Sequence, residues 1–305
     1  MKNSKALFRY LVSRIPSDDA EEVKAMAYIV LEHLFSISRV DVLADKPVAV
    51  SPVAAEKIET ILNRLGTGEP LQYVLGETEF YGRTFKVRPG VLIPRPETEE
   101  LVRLVIESGA RSQEPGAGSQ NPGARIQEPG AGRQESVIRV LDIGTGTGCI
   151  PVTLFLEMAL VEVFAVEVSE VAIAVARENA SLLNAKVDIV QLDILKDPLP
   201  WENLDVIVSN PPYIPWSEKV NMHRNVTDFE PELALFVSEE DPLVFYKAIA
   251  RQASRALRRS GLLAVEINER FGEGVANVFR EEGFGEVEIL KDIFGKERIV
   301  KGVLG

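Results

Sequence analysis

The sharpest chemical signal in the chain is Asn210-Pro211-Pro212-Tyr213, which follows directly on the apolar run Asp205-Val206-Ile207-Val208-Ser209. Two consecutive prolines fix the backbone and remove two amide donors, so the Asn210 side chain and the carbonyls of this turn stand out as hydrogen-bonding groups. Asn210 Oδ1 and the Pro211 carbonyl can each accept one N–H of a planar NH2 group, with the Tyr213 ring packed on its plane. A carboxylate offered to the same pair would meet two acceptors and be repelled.

A second signal lies upstream, in Asp142-Ile143-Gly144-Thr145-Gly146-Thr147-Gly148. Glycines at alternate positions allow positive φ and close approach of a ligand, and the amides that open the next helix favour an anionic or carboxylate group. Asp142, Gly144, Thr145, Gly146, Thr147 and Gly148 are therefore candidate binding residues. The dinucleotide fingerprint asks for glycines at relative positions 1, 3 and 6, and counting from Gly144 the sixth is Cys149, which disfavours a nicotinamide enzyme. About 20 residues on, Glu167 ends a strand-like run, where a carboxylate can bind ribose hydroxyls. Asp193 and Ile194 end a third run and suit an adenine amino group and the face of its ring. Cys149, at a helix start, is read as a small packed residue, and Trp216 as either touching substrate or exposed on its loop.

These groups meet only if their strands share an edge. From residue 137 onward short apolar runs alternate with helical stretches: Val137–Ile143, Val161–Val168, Val187–Leu192, Asp205–Ser209 and Leu262–Ile267. Such alternation predicts a parallel, doubly wound α/β sheet. Gly285–Leu290 and Arg298–Leu304 add an antiparallel edge, for seven strands in all. Residues 1–76 read as a small helical bundle. One helix is capped by Asp18-Asp19, with Val23, Met26, Ile29, Val30 and Leu34 on its apolar face; another starts at Ser51-Pro52 and stops at Gly66, with Ile58, Ile61, Leu62 and Leu65 inward. Residues 77–96 are expected as a β-hairpin connector, with 78–94 alternating around Gly82 and Gly90, and residues 97–305 as the α/β domain. Four copies of one seven-residue unit fill 108–135, after a helix expected over 98–107. Pro and Gly supply 9 of those 28 residues and Ile126 is the one large apolar side chain, so a disordered, dispensable insertion is expected.

Composition narrows the chemistry further. One cysteine and two well-separated histidines, His33 and His223, offer no disulfide framework and no metal-ligand spacing. A net charge of −12 is the wrong sign for holding nucleic acid through broad phosphate neutralisation. No run reaches the length of a membrane span and no signal-type segment opens the chain, so a cytoplasmic protein without membrane contact is expected.

The glycine turn, the acid at the second strand end and the Asn-Pro-Pro-Tyr turn together resemble the S-adenosylmethionine-dependent methyltransferases that modify planar amino nitrogens. Within that class, Gly68-Glu69-Pro70-Leu71-Gln72-Tyr73-Val74-Leu75-Gly76, Phe80-Tyr81-Gly82 and Leu92-Ile93-Pro94-Arg95-Pro96-Glu97-Thr98-Glu99 resemble the peptide chain release factor glutamine methyltransferases. The resemblance spans nearly the whole chain, through Lys296-Glu297-Arg298-Ile299-Val300, and leaves out only the repeats. It implies a class I methyltransferase sheet with a small N-terminal domain for substrate recognition, S-adenosyl-L-methionine as cofactor with S-adenosyl-L-homocysteine as product, and class 1 release factors as the protein substrate. Asn210, Pro211, Pro212 and Tyr213 would be the catalytic turn, and Asp142, Gly144–Gly148, Glu167, Asp193, Ile194 and Asn210 the cofactor site. A ribosomal-protein glutamine methyltransferase and an adenine-N6 nucleic-acid methyltransferase are the alternatives. Two positions depart from the family pattern: Glu167 stands where most members carry Asp, and Phe236–Pro242 where a glycine-rich turn is usual.

Overall fold

The structure, a computed structural model, describes residues 3–17, 19–113 and 137–305. The chain divides into two compact units, one of Met1–Thr78, Val87–Pro89 and Met222–Glu230, the other of Glu79–Lys86, Gly90–Asn221 and Pro231–Gly305.

The first unit is built on α1 (Ser4–Val12), α2 (Ala20–Phe35), α3 (Arg39–Leu43), α4 (Pro52–Gly66) and α5 (Leu71–Leu75). Leu7, Leu11, Val30, Leu31, Ile58 and Leu62 meet in its core. Ser51 Oγ accepts from the Ala54 amide and Pro52 occupies the first turn of α4, where an amide would have no helical partner. Asp19 caps α2 by accepting from the Glu21 and Glu22 amides; Asp18 lies outside the described residues. The buried face of α2 is Val23, Ala27, Val30 and Leu31, and Ile29, expected inside, is 46% exposed. The small Ala27 on the inner face lets the helix rotate its stripe away from Ile29.

The expected hairpin is shorter than 77–96. It consists of β1 (Glu77–Phe80) and β2 (Arg83–Lys86), and residues 87–97 form no strand. Tyr81 and Gly82 both have positive φ, 52° and 69°, the two-residue turn whose twist matches paired strands.

The second unit continues with α6 (Thr98–Gln113), β3 (Ile138–Ile143), α7 (Cys149–Glu157), β4 (Val161–Glu167), α8 (Glu170–Leu182), β5 (Val187–Gln191) and β6 (Leu204–Ser209). The short elements β7 (Ile214–Pro215), α9 (Arg224–Thr227), α10 (Glu232–Leu235) and β8 (Phe236–Val237) follow. The chain ends with α11 (Val244–Ala256), β9 (Leu257–Glu266), α12 (Gly272–Glu281), β10 (Phe284–Lys291) and β11 (Glu297–Leu304). Helix α6 runs six residues into the first repeat copy, to Gln113, so residues 108–113, expected to be disordered, are helical; residues 114–135 lie outside the described residues.

Seven strands form one sheet in the order β10-β11-β9-β6-β3-β4-β5. The pairs among β9, β6, β3, β4 and β5 are parallel, and β11 lies antiparallel to both β9 and β10. Alternate residues of the strands face opposite layers. Leu141, Ile143, Ile207 and Val265 pack with α11 and α12, whereas Val140, Val206, Val208 and Ala264 pack with α6 and α7. This is the doubly wound, three-layer arrangement that the strand alternation predicts, with the class I methyltransferase order of strands and an antiparallel edge.

Register then sets the site. Ile143 pairs with both Ser209 and Val166, and Ser209 pairs with Val265. The residues that follow, Gly144, Asn210, Glu167 and Glu266, therefore leave the sheet side by side. The strand order reverses between β3 and β6, the point at which ligands bind in open α/β sheets.

Candidate active site

At that reversal a cleft opens. Its walls include Gly144, Thr145, Gly146, Thr147, Glu167, Asp193, Ile194, Asn210, Pro211 and Pro212 from the sequence reading. Asp142, Gly148 and Tyr213, expected in the same site, do not line it. Each has a different place.

Gly144, Gly146 and Gly148 have φ of 74°, 56° and 78°, values that side-chain-bearing residues rarely adopt. A Cβ on Gly144 or Gly146 would meet nothing within 4 Å, so those two positions leave open space beside the turn. At Gly148 a Cβ would come within 3.1 Å of the Ala176 Cβ, so this glycine serves the packing of the turn onto α8. The Asn179 amide on α8 fastens the turn from behind. Its Nδ2 donates to the Thr147 carbonyl at 2.9 Å and to the Lys86 carbonyl at 3.0 Å, and its Oδ1 accepts from the Lys86 amide at 2.7 Å.

Glu167 faces the turn. Its Oε2 accepts from the Gly146 amide at 2.9 Å, and its Oε1 from the Val168 and Ser169 amides at 2.9 and 3.0 Å. Asp193, expected to accept from a ligand amine, is engaged by Lys196 Nζ at 2.7 Å and the Leu195 amide at 3.0 Å. The Lys196 hydrogen bond, together with the Leu195 amide, holds its carboxyl below the usual range. Ile194 is buried and packs in the core beneath the cleft.

Asp142 lies under the turn, fully buried, and neither of its oxygens has a hydrogen-bond partner among the described residues; Thr145 Oγ1 is in the same condition. Burial pushes the Asp142 carboxyl up to about 7; the neighbouring Thr145 hydroxyl opposes the rise and the nearby Glu167 charge adds to it. Cys149 is buried at the start of α7, and burial raises its thiol to about 12, so it is packed and unreactive.

The turn after β6 is held differently. Asn210 Nδ2 donates to Thr98 Oγ1 at 3.1 Å, and Thr98 Oγ1 donates to Glu266 Oε2 at 2.7 Å. Tyr213, expected as an aromatic platform, instead turns its hydroxyl to Glu266 Oε1 at 3.0 Å, and Tyr246 donates to the Glu266 carbonyl at 3.1 Å. Burial raises the Glu266 carboxyl, while the Thr98 and Tyr213 hydrogen bonds and the charge of Arg298 oppose the rise. Thr98 and Glu266 are site residues that no local motif chemistry marks. The available signal for Glu266 was its place: an acid directly after the apolar run Leu262–Val265. Thr98 stood inside a motif stretch with no chemistry of its own to mark it, and Phe245 and Ile249, which also line the cleft, read as ordinary helix core.

The described site thus offers backbone donors and open space at one strand end and a held side-chain amide at the next. Residues 133–227 match the Methyltransferase small domain family, and residues 6–76 match the PrmC N-terminal domain family. The release factor glutamine methyltransferase of Bacteroides thetaiotaomicron is 40% identical over 281 residues, covering 92% of each chain. The protein of the same name from Flavobacterium psychrophilum is 36% identical over 93% of this chain and 92% of its own. The chain belongs to the release factor glutamine methyltransferase family. The solved hMettl16 catalytic domain matches with a TM-score of 0.53 over 86% of this chain and 85% of its own, and at 15% identity that likeness concerns the fold alone.

The residues present suit the cofactor that this family's methyl transfer implies. The open space at Gly144 and Gly146 and the Glu167 carboxylate on the cleft wall together fit a ligand carrying an amino-acid end and a ribose. Among the described residues no cluster of His, Cys, Asp and Glu could hold a metal ion, and no helix is long and apolar enough to cross a membrane.

Proposed function

We propose that this enzyme transfers the methyl group of S-adenosyl-L-methionine to the side-chain amide nitrogen of the glutamine in the Gly-Gly-Gln motif of class 1 peptide chain release factors, in the cytoplasm. The observation that carries the reading is Asn210, whose NH2 is taken by Thr98 and whose Oδ1 remains to accept from a substrate NH2 group at the reversal of the sheet. S-adenosyl-L-homocysteine is the product.

Gly144–Gly148, Glu167, Asp193 and Ile194 would hold the cofactor, which when bound supplies an electrophilic methyl on sulfur. The protein's own work is positioning and exclusion of water. An amide nitrogen is a poor nucleophile because its lone pair is delocalised into the carbonyl. Asn210 Oδ1 and the Pro211 carbonyl, each accepting one N–H, would orient that nitrogen and favour positive charge developing on it. The apolar cleft walls at Leu192, Phe245 and Ile249 keep water from competing. Residues 1–76 carry none of the cleft's lining residues, which supports a role for them in recognising the protein substrate, with 97–305 as the methyltransferase domain.

The exocyclic amine of adenine has the same donor pattern, so the experiment must separate the two. Purified chain with labelled S-adenosylmethionine is offered release factor, ribosomal protein and nucleic acid separately. Label is expected on release factor, at the target glutamine by mass spectrometry, and none on a factor whose glutamine is changed to glutamate. Label on adenine, or elsewhere on the factor, would overturn the assignment.

A further inference from the structure

We infer that the buried pair Thr98 and Glu266 is a positioning device that decides which end of the Asn210 amide faces the cleft. The inference rests on the reading of Asn210 as the substrate's acceptor.

An Asn side chain carries a donor and an acceptor of nearly the same shape, and the two orientations differ only in hydrogen bonding. A site that must recognise NH2 has to present oxygen; the flipped amide would present a donor and reject the substrate. Prolines after Asn210 fix its backbone and leave this choice open. Glu266 is 1% exposed and Thr98 3% exposed, so water competes little for either. In its ionised form, which the Thr98 and Tyr213 hydrogen bonds and the charge of Arg298 favour against burial, Glu266 is an acceptor only, and it takes hydrogens from Thr98 at 2.7 Å and Tyr213 at 3.0 Å. The single Thr98 hydrogen is thereby committed, which leaves its oxygen as an acceptor. Asn210 meets that oxygen at 3.1 Å and can satisfy it only with Nδ2. Flipping the amide would set two lone-pair oxygens against each other in a partly buried place, at the cost of an unmade hydrogen bond. Oδ1 is thus committed to the cleft by a carboxylate 56 positions away in sequence that does not itself line the cleft.

Glu266→Gln removes the commitment. Its NH2 can donate to Thr98, whose hydrogen then turns to Asn210 and pulls Oδ1 inward. Thr98→Val deletes the relay altogether, while Thr98→Ser keeps the hydroxyl. The test measures methyl transfer to release factor, cofactor affinity by calorimetry, and inhibition by a release factor whose target glutamine is glutamate, a group that prefers donors.

Thr98→Val and Glu266→Gln are expected to lower turnover on the order of tenfold or more with cofactor affinity held within about twofold, and Thr98→Ser to recover most of the loss. Glu266→Gln should bind the glutamate factor more tightly than wild type, a change that mere loosening of the fold would not produce. A readout free of turnover is the Asn210 side-chain NH2 signal in a nitrogen-edited spectrum, expected to exchange slowly in wild type and fast in Thr98→Val. If Asn210→Ala abolishes turnover while both relay variants work as wild type, the device is refuted and the acceptor reading stands. If Asn210→Ala itself retains full turnover, the acceptor reading falls and takes the device with it. Should Thr98→Val fail to fold, fast exchange of the Asn210 signal in wild type would still refute the inference.

Discussion

The two turns that flank the cleft leave adjacent, paired strands, yet they are built on opposite plans. After β3 the chain presents backbone: three glycines with positive φ, amides at the start of α7, and a carboxylate, Glu167, folded onto the Gly146 amide. After β6 it presents a side chain, and Asn210 is held through Thr98 to a buried acid. The polarity of a backbone amide is covalently determined, so a glycine turn needs only room and the right dihedrals. The polarity of a side-chain amide is a choice between two orientations, so a site built on Asn needs partners that make the choice. One plan suits a ligand common to many methyl transfers, the other a particular acceptor group.

If that division holds, damage to the two turns should separate binding from chemistry. The largest effect belongs to the second turn: Asn210→Ala should lower turnover by on the order of 100-fold or more while cofactor affinity changes little, as expected for lost positioning at the reacting centre. Single-turnover methylation and calorimetry on the same preparation check both halves, and a parallel loss of cofactor binding would merge the two turns into one site. The first turn should show the converse. Glu167→Ala should weaken cofactor binding by ~1–3 kcal/mol, through loss of the ribose contact and of the bond that holds Gly146, with turnover at saturating cofactor largely kept. Unchanged affinity would remove Glu167 from the cofactor site.

A smaller effect tests the buried acid beneath the first turn. Asp142 ionises near 3.9 in an unfolded chain, whereas burial in the fold moves it to about 7. Its folded pKa is the higher one, so the folded state holds the extra proton between these values, and stability falls as pH rises through that window and levels off above it. Asp142→Asn has no such term. In the absence of cofactor, the variant should gain roughly 2–3 kcal/mol on wild type between pH 5 and pH 8, read by denaturant titration at each pH. A difference that does not change with pH would mean the carboxyl is charged throughout. The smallest effect is expected outside both turns, where deleting residues 114–135 should leave melting temperature and methyl transfer as they are, since loop-closure entropy changes only slowly with length. A drop in either would give the repeats a role.

Much of this protein is legible along the chain. Strand runs, the reading of α4 from Ser51 to Gly66, the antiparallel edge, the glycine turn and the Asn-Pro-Pro turn are local patterns, and their physics lies within a few residues: alternation, capping, dihedral freedom and missing donors. The sheet's strand order adds what alternation leaves open, because it decides that Gly144, Asn210, Glu167 and Glu266 emerge together. The side-chain directions needed the fold most. Asp142 and Thr145 are two turns of phrase in one glycine motif, yet one lies beneath the sheet's end and the other on the cleft wall. Tyr213 belongs to a motif written for an aromatic platform and spends its hydroxyl on Glu266. Thr98 and Glu266 stand 168 positions apart, and no local preference announces their bond. Sequence determines what each strand end can offer, since that depends on residue type and neighbours. Only tertiary structure decides which offers meet and which are consumed among themselves, because a hydrogen bond already made in the interior is one the substrate cannot have.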